Sequence, residues 1–506
     1  MMKPRKFVLF LIANFALFAC TYVPFETERA PSNALPITET RISRGLDTLL
    51  GNASDEAVIM APLVDGNDAL AARFRLIEQA DRTIDIKTFL VKPDTAGTLL
   101  WLALYEAAER GVKIRLLYDD VFTSANDAQI ATLDAHPNVE IRTFNPLSRN
   151  STVAANFLLD FKRVNRRMHN KAAVVDGVLA IVGGRNVADE YYQIETSNEF
   201  ADFDLLIGGA PVKDLSSAFD LYWNDPWAVP VENFTTVDDA ILAQALEQFR
   251  GKSASNEVEI YRKAMDSDYI NDLRAGRLER FTGTAQVVVD DPGKLRTPPR
   301  QGPFTVGDKF YNTLLKAREE VLVFTPYFVP QDYGADVYET LRRRGVRVRI
   351  VTNSLASTNH AYVHGGYAPY RNRLLSSGVE FLEVRADAPQ IVSGTNTPLV
   401  LHSKLAIVDQ KTLFVGSTNI DPRSIRQNSE IGMVIQSPAL AGSIQDRFDR
   451  IADDYVFNVD KNENGALTWT YSGTNRSEVF LSEPDAKLWS KIIMKLAHWL
   501  PVESQL

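Results

Sequence analysis

MHNKAAVVD (residues 168–176) and LHSKLAIVD (residues 401–409) are two copies of one pattern. In each copy a lysine follows the histidine by two residues, and an aspartate follows the lysine by five. The two histidines are 233 residues apart. One copy would be a weak signal, because histidine and lysine on a strand are usually just solvated. Two copies indicate a duplicated unit with a shared purpose.

A second short pattern follows each copy at the same distance, in VLAIVGGRN (178–186) and TLFVGSTN (412–419). It contains a glycine, then glycine or serine, and then an asparagine two residues later. The spacing of 233 residues holds for all three positions. The matched residues are Gly183, Gly184 and Asn186 in the first copy and Gly416, Ser417 and Asn419 in the second.

The sequence around the motifs repeats as well. AERGVKIRLLYDD (108–120) and RRRGVRVRIVTNS (342–354) both look like a helix end, a glycine and a buried strand. Earlier apolar strands, IDIKTFLV (84–91) and VLVFTPYFVP (321–330), complete strand–helix–strand units. We therefore predict an α/β fold of two similar halves with parallel strands, at residues 51–235 and 279–457.

Two further segments flank the second half. Residues 236–278 are polar with a helical pattern, and we interpret them as a helical connector. The tail, 458–506, carries an amphipathic helix at 485–500, with an apolar stripe on one face and Lys487, Lys491 and Lys495 on the other. Such a helix either packs on the core or lies flat on an anionic bilayer. The sequence leaves both readings open.

Composition limits the class of protein. The chain has 506 residues, of which 45% are hydrophobic and 24% charged, as in a globular protein with a sizeable core. Its formal net charge of -9 argues against a surface built to coat nucleic acid, because phosphate binding depends on clustered lysine and arginine. No nucleic-acid partner is expected, and the sequence identifies no protein partner.

The first twenty residues look like an export signal. Lys3, Arg5 and Lys6 precede an apolar run at 7–19, which is too short to span a bilayer comfortably. The run ends in LFAC, which resembles a bacterial lipobox, and Cys20 is the only cysteine of the chain. We expect an exported lipoprotein anchored through Cys20 and facing the periplasm. Residues 21–50, rich in proline, threonine and acidic residues, are interpreted as a tether.

That cysteine is followed by Thr21 rather than aspartate. Aspartate at this position is associated with retention in the inner membrane of enteric bacteria. Its absence favours the outer membrane, although the inner membrane stays possible.

The repeated residues suit chemistry on a phosphoryl group. If a pseudo-twofold axis brings the halves together, the two histidines, two lysines and two asparagines meet. Ammonium and amide groups can stabilise phosphoryl oxygens in a transition state. One imidazole can attack phosphorus while the other transfers protons. This chemistry needs neither metal nor cofactor, and no zinc-binding spacing is present. The predicted catalytic residues are His169, Lys171, Asn186, His402, Lys404 and Asn419.

Two acids are candidates to orient the imidazoles. Aligning EIGMVI (430–435) with DFDLLI (202–207) places Glu430 opposite Asp202, so that each half supplies one acid. Asp204 is an alternative in the first half. The aspartates of the motifs, Asp176 and Asp409, lie at turns and are expected to be structural.

At these residues the chain resembles the phospholipase D superfamily, whose signature is HxKxxxxD followed by G-G/S-x-N, present twice. RRMHNKAAVVDG, GGRNVADEYY, TPYFVP and GSTNIDPRSIRQNSEIGMVI are similar to bacterial cardiolipin synthases, in particular the type without two N-terminal membrane spans. The resemblance covers about residues 55–500. It implies two α/β sandwich halves with one active site between them.

The resemblance also implies phosphatidyl transfer through a phosphohistidine. By analogy the attacking half is not fixed, and we expect His169 to attack and His402 to act as acid and base. The acceptor would be phosphatidylglycerol, and the donor phosphatidylglycerol or phosphatidylethanolamine, so that the partners are phospholipids and a membrane surface. A family-like segment containing His364, Tyr367 and Arg371 is expected to help bind a lipid phosphate.

Three other functions remain open at the level of sequence. Water could replace the lipid acceptor, which would make the protein a phospholipase D that produces phosphatidic acid. A nuclease of the same superfamily is a further alternative, favoured only by the basic flank RVNRRMHNK (163–171). A non-catalytic lipid-binding protein is the last, although it would more naturally have lost one of the histidines or lysines.

Overall fold

A computed structural model describes residues 21–50, 58–194, 197–237, 240, 242–244, 247, 256–299, 305–389, 397–473 and 476–499. The predicted signal sequence, with Cys20, lies outside the described residues.

The first half is built on a mixed sheet. The strands of this half are β1 (Val58–Leu63), β2 (Thr83–Thr88), β3 (Lys113–Asp119), β4 (Val139–Phe144), β5 (Ala172–Val175), β6 (Leu179–Gly183), β7 (Glu199–Ala201), β8 (Asp204–Gly209) and β9 (Ala228–Pro230). Strand β7 lies outside the mixed sheet and pairs in parallel with Leu399–Leu401 of the second half. Strands β2, β3 and β4 are parallel neighbours. On the other side of β2 the sheet continues through β5, β6, β8 and β1, all antiparallel.

The second half repeats this order of strands. Its strands are β10 (Phe281–Val289), β11 (Glu320–Phe324), β12 (Arg347–Asn353), β13 (Glu380–Val384), β14 (Leu399–Leu401), β15 (Leu405–Val408), β16 (Thr412–Gly416), β17 (Ile431–Gln436) and β18 (Val456–Lys461). Strands β11, β12 and β13 are parallel, and β15, β16, β17 and β10 follow in antiparallel order. The predicted duplicated α/β fold is confirmed.

Helices connect the strands and cover the sheets. They are α1 (Arg41–Leu50), α2 (Gly66–Gln79), α3 (Thr95–Glu109), α4 (Asp127–Asp134), α5 (Val153–Leu159), α6 (Phe161–Val164), α7 (Pro211–Trp223), α8 (Asn256–Met265), α9 (Asp268–Arg274), α10 (Val306–Leu314), α11 (Gln331–Arg343), α12 (Ala361–Ser376), α13 (Pro422–Arg426), α14 (Pro438–Tyr455) and α15 (Leu488–Trp499). Gly111 and Gly345 follow α3 and α11 with φ of 92° and 82°, a conformation that glycine adopts at little cost. Both lie where the sequence predicts a helix end followed by a glycine.

The halves join at equivalent strands. Strand β1 pairs antiparallel with β10, from Val58 opposite Gly283 to Met60 opposite Phe281, which joins 18 strands of the described residues into one sheet. A buried apolar cluster lies between the halves and takes side chains from both, among them Met60 and Leu205 from the first and Leu405 and Met433 from the second. The join relates the halves symmetrically, and this shared core fixes their relative position.

Residues 21–50 do not form the predicted tether. Arg29 donates hydrogen bonds to the carbonyls of Ala228 (2.7 Å) and Pro226 (2.8 Å), and the backbone N–H of Ala34 donates to Asp220 (2.8 Å). Helix α1 ends the segment, with Leu46 buried against the first half. These hydrogen bonds hold the segment on the surface of the first half, although its composition is typical of a linker.

The tail also holds more structure than the predicted helix. Strand β19 (Leu467–Gly473) pairs with β18, and β20 (Arg476–Phe480) pairs with β19, so both extend the second sheet. The amphipathic helix, α15, packs against α12. The described part of the chain contains no helix whose length and apolar character would let it cross a bilayer.

The aspartates of the repeated motifs have a structural position, as expected. Asp176 has φ of 54°, and its carboxylate accepts hydrogen bonds from the backbone N–H groups of Asp81 (3.0 Å), Arg82 (2.8 Å) and Thr83 (2.9 Å). Asp409 accepts in the same way from Arg318, Glu319 and Glu320 in the other half. Each aspartate therefore ties the turn after a central strand to the start of its neighbour.

We expect Asp176→Ala to lower the free energy of unfolding by about 2–4 kcal/mol, because three backbone donors lose their acceptor and alanine is strained at positive φ. Denaturant unfolding measures this effect. Asp176→Asn is the control, since it keeps an acceptor oxygen and tolerates this conformation, and it should lose less than half as much. A variant that keeps full stability but loses all turnover would contradict the structural role.

Candidate active site

The histidines of the two motifs lie just before strands β5 and β15. Strands β5 and β15 begin after the lysines, so the histidines and lysines occupy the extended segments before them. The backbone N–H of His169 donates to the carbonyl of Ser429 (2.9 Å), and the N–H of His402 donates to the carbonyl of Ala201 (2.8 Å). Each histidine is therefore held by the backbone of the opposite half.

The orienting acids also act across the interface between the halves. Nδ1 of His169 lies 3.1 and 3.0 Å from the carboxylate oxygens of Glu430, and Nδ1 of His402 lies 2.6 Å from Oδ2 of Asp202. Each half supplies one acid, as predicted, and that acid contacts the histidine of the other half. The alternative, Asp204, instead forms an ion pair with Arg73 (2.8 Å).

The glycine-rich motifs make room for these acids. A Cβ on Gly184 would lie 2.1 Å from Oδ1 of Asp202, which no side chain could tolerate. Ser417, at the matching position, donates a hydrogen bond to Oε2 of Glu430. Gly416 and Gly183 likewise lie against neighbouring backbone, with a Cβ at 2.3 Å from Ile431 O and 2.4 Å from Phe203 O. The motif therefore positions the acid that orients the opposite imidazole.

Both lysines lie beneath the histidines. Nζ of Lys171 donates to the carbonyl of His169 (2.7 Å), and Nζ of Lys404 donates to the carbonyl of His402. Burial lowers the pKa of Lys171 to about 7 and that of Lys404 to about 8, against the opposing effect of nearby carboxylates. An incoming phosphate would stabilise both ammonium ions.

The two imidazoles differ in their contacts at Nδ1. His169 meets only a carboxylate there, so its proton lies on Nδ1 and the lone pair on Nε2. Nδ1 of His402 meets Asp202 and also lies 2.8 Å from Nζ of Lys404. The carboxylate of Asp202 keeps the proton of the neutral imidazole on Nδ1, and the ammonium of Lys404 lies beside the same nitrogen. We therefore assign the attack to His169, which contacts only a carboxylate, and proton transfer to His402, which also has an ammonium group beside it.

Burial keeps both imidazoles neutral at rest. It lowers the pKa of His169, partly offset by Glu430. It lowers the pKa of His402 to about 3, with Lys404 adding to the effect and Asp202 opposing it. Burial opposes ionisation of Asp202 and Glu430, but the histidines and lysines outweigh it and lower the pKa of both acids. A phosphate anion beside His402 would raise its pKa, and the imidazolium formed in this way can give a proton to the leaving group.

One cleft of about 780 Å³ contains both histidines and both asparagines. The amide oxygens of Asn186 and Asn419 are buried without a hydrogen-bond partner in the described residues, which marks them as groups for a ligand. Aromatic side chains form much of the wall: Phe89, Phe122, Phe157, Tyr191, Phe200, Tyr327 and Tyr362. The cleft thus combines a polar floor with apolar sides.

Sequence reasoning missed several residues of this cleft. The ring of Phe200 stacks on His402 with 5.1 Å between ring centroids and 8° between planes. Asp421 lies buried in the wall, accepts a hydrogen bond from Ser424 N (2.7 Å), and burial raises its pKa to about 7. Its position two residues after Asn419 was a signal, but the first half has Ala188 there, so comparing the repeats concealed it.

The structure does not bring His364, Tyr367 and Arg371 into the cleft. All three are buried on α12, where Arg371 donates to Glu383 (2.8 Å) and Glu483 (2.7 Å). Tyr367 also donates to Glu383 (3.0 Å). The prediction that they bind a lipid phosphate does not fit, because the arginine is already paired with two carboxylates.

Among the described residues no group of three or more histidine, cysteine, aspartate or glutamate side chains is arranged to hold a metal ion.

Comparison with known proteins identifies this arrangement. The family model for the cardiolipin synthase, PLD-like domain matches residues 74–202 and 310–452, one segment in each half. Cardiolipin synthase C of Escherichia coli is 34% identical over 87% of this chain and 95% of its own length. A cardiolipin synthase of Oceanobacillus iheyensis is 25% identical over 76% of this chain and 67% of its own.

A solved structure supports the fold alone. The phosphatidylserine synthase of Haemophilus influenzae superposes with a TM-score of 0.58 and 13% identity, covering 92% of this chain and all of the other. The two segments matched by the family model and the similarity to cardiolipin synthase C show that the chain belongs to the phospholipase D superfamily of enzymes, in the family of the cardiolipin synthase, PLD-like domain.

Proposed function

We propose that this protein makes cardiolipin by transferring a phosphatidyl group to the glycerol hydroxyl of phosphatidylglycerol. The observation that carries the proposal is the pair of acid-oriented histidines on the floor of a cleft with aromatic walls. The resemblance to cardiolipin synthases over most of both chains supports the same substrates. A diacyl lipid suits apolar walls, and its phosphodiester suits the lysines below.

In the first step Nε2 of His169 attacks the phosphorus of the donor, which is phosphatidylglycerol or phosphatidylethanolamine. The P–O bond to the headgroup breaks, and His402 protonates the leaving oxygen. In the second step His402 removes the proton from the acceptor hydroxyl, the new P–O bond forms and the P–N bond breaks. Lys171 and Lys404 stabilise the charge on the phosphoryl oxygens throughout.

The cleft favours a lipid over a nucleic acid. Three basic side chains contribute to its wall in the described part of the chain, namely Lys92, Arg167 and Arg423. Lys92 pairs with Glu190 and Arg167 pairs with Asp119, so their charges are largely neutralised. A nucleic-acid groove would need unneutralised cations along its length.

The experiment gives purified protein labelled phosphatidylglycerol, with and without phosphatidylethanolamine, in mixed micelles, and identifies the products by mass. We expect cardiolipin, and we expect a chelator of divalent metals to leave the rate unchanged. Phosphatidic acid as the sole product would show a hydrolase. Cleavage of single-stranded DNA without any turnover of lipid would contradict both, and strict dependence on a metal would contradict the two-histidine mechanism.

The pH dependence of kcat/KM should reflect the loss of protons from Lys171 and Lys404. Their ammonium forms bind phosphate, and with pKa values lowered to about 7 and 8 they lose their protons as the pH rises through that range. We therefore expect kcat/KM to begin to fall above about pH 7, where Lys171 loses its proton, and not near the ordinary lysine value of about 10.4. A profile measured between about pH 5 and pH 10 decides this. A plateau that extends to the alkaline end would contradict it.

We also propose that the chain is exported and anchored to a membrane through lipidated Cys20, facing the periplasm. The basic residues, apolar run and lone cysteine of the first twenty residues support this proposal. Mass spectrometry of the mature N-terminus would find a diacylglyceryl group on Cys20. An unprocessed or unlipidated N-terminus would contradict it.

A further inference from the structure

The mouth of the cleft is surrounded by exposed apolar side chains. Phe122, Tyr362, Ile493 and Leu496 line the cleft and are also exposed to solvent, so they lie at its rim. Phe122 belongs to the first half, Tyr362 to the second and the other two to α15. Soluble proteins rarely expose contiguous apolar surface without a binding purpose.

Two helices extend this rim outwards. Helix α5 contributes Phe157 to the wall of the cleft, while its neighbour Leu158 is 83% exposed and Phe161 follows, also exposed. Helix α15 contributes Ala497 to the wall and exposes Leu488 and Trp489, the latter at 70%. Both helices thus turn part of their apolar surface to the cleft and leave the rest uncovered.

The charges on these helices indicate which surface would cover them. Lys487 is exposed just before α15, Lys495 is exposed on it and Lys491 is half-buried there. Lys162 is exposed just after α5. The whole chain carries a net charge of -9, so the lysines at the rim form a basic region on an otherwise acidic protein. Apolar side chains beside lysines are the pattern of an element lying in the headgroup region of an anionic bilayer.

We propose that α5, α15 and the rim of the cleft form a docking surface for an anionic phospholipid bilayer. Docking brings the mouth of the cleft onto the membrane, so that a lipid enters along apolar side chains without crossing water. The two interpretations of the tail sequence then both hold for α15, because one side of the helix packs on α12 and another side contacts lipid. This inference rests on the proposed function for the identity of the lipid that enters.

The test places an environment-sensitive fluorophore at single cysteines of the full-length chain, which Cys20→Ser makes possible because Cys20 is the only native cysteine. The labelled sites are Leu158→Cys and Leu488→Cys. The matched controls are Leu49→Cys on α1 and Ile451→Cys on α14, which are exposed apolar residues that do not line the cleft. Comparing sites within one background separates docking from any effect of the N-terminal segment.

Vesicles contain phosphatidylglycerol and phosphatidylcholine, or phosphatidylcholine alone. With the anionic vesicles we expect a severalfold rise in emission at 158 and 488, quenched by lipids that carry a nitroxide on the acyl chain, and no response at 49 and 451. Pure phosphatidylcholine should give a weaker response. Equal signals at all four sites, or none at 158 and 488, would overturn the proposal.

Activity separates this inference from the proposed function. The double variant Leu158→Asp/Leu488→Asp should lose about tenfold or more of the turnover of long-chain lipid in vesicles, on the scale set by burying two leucines. It should keep the turnover of monomeric short-chain phosphatidylglycerol, and Leu49→Asp/Ile451→Asp should keep both. Equal losses on both substrates would overturn docking. Wild-type protein that docks but converts neither lipid would instead contradict the proposed function.

Discussion

His169→Ala and His402→Ala are each expected to lower the rate of phosphatidyl transfer by on the order of 10⁴-fold or more. One removes the nucleophile and the other removes the group that protonates the leaving oxygen. Both side chains lie on the floor of the cleft, and no other described histidine contacts a carboxylate there. The rate of cardiolipin formation in mixed micelles measures both effects.

His360→Ala is the matched control. This histidine also lines the cleft, but its ring packs against Tyr327 and Tyr362. Its loss should change the rate by less than about tenfold. Full activity of either His169→Ala or His402→Ala would contradict the mechanism.

A donor with a good leaving group distinguishes the two roles. When p-nitrophenol replaces the headgroup, the leaving oxygen no longer needs a proton, so His402→Ala should still release one equivalent in a burst. His169→Ala should show no burst. The reverse result would assign the attack to His402 and contradict the assignment from the contacts at Nδ1.

Glu430→Ala and Asp202→Ala are expected to lower the rate by on the order of 10²- to 10⁴-fold, although neither acid touches the substrate. Each acid sets the tautomer and orientation of the histidine in the opposite half. The conservative changes Glu430→Gln and Asp202→Asn test this, because the amide keeps the size of the acid but can donate to Nδ1. Both amides should stay slow while the fold is unchanged.

A measurement of the histidine tautomers distinguishes a positioning role of Glu430 and Asp202 from a purely structural one. Nitrogen NMR of the imidazoles should show the proton of His169 shifted from Nδ1 towards Nε2 in Glu430→Gln, with His402 unchanged. Asp202→Asn should alter His402 and leave His169 as it is. Changes confined to the histidine of the same half would contradict the exchange of acids between halves.

The constant spacing of 233 residues made much of the site predictable. The constant spacing shows that the unit is duplicated, and a duplicated catalytic motif implies one shared site. This reasoning identified the histidines, lysines and asparagines. Alignment of the halves also identified Glu430 and Asp202. It could not show which histidine each acid contacts, because equivalent positions carry no information about contacts between halves.

Other errors have physical causes in contacts with distant segments. His364, Tyr367 and Arg371 looked available for phosphate because Glu383 and Glu483, which pair with Arg371, lie elsewhere in the sequence. Residues 21–50 have the composition of a linker, yet their hydrogen bonds to residues 220–228 hold them in place. The composition of a short segment shows neither the carboxylates that pair with its arginine nor the distant residues that it hydrogen-bonds to.

A covalent adduct on His169 is the most direct test of the shared site. His402→Ala, mixed with the p-nitrophenyl donor and quenched in denaturant at alkaline pH, which preserves the P–N bond, would be digested and its peptides weighed. We predict a phosphatidyl group on the peptide that carries His169, and none when His169→Ala is treated in the same way. An adduct on another residue, or burst release without any adduct on histidine, would contradict it.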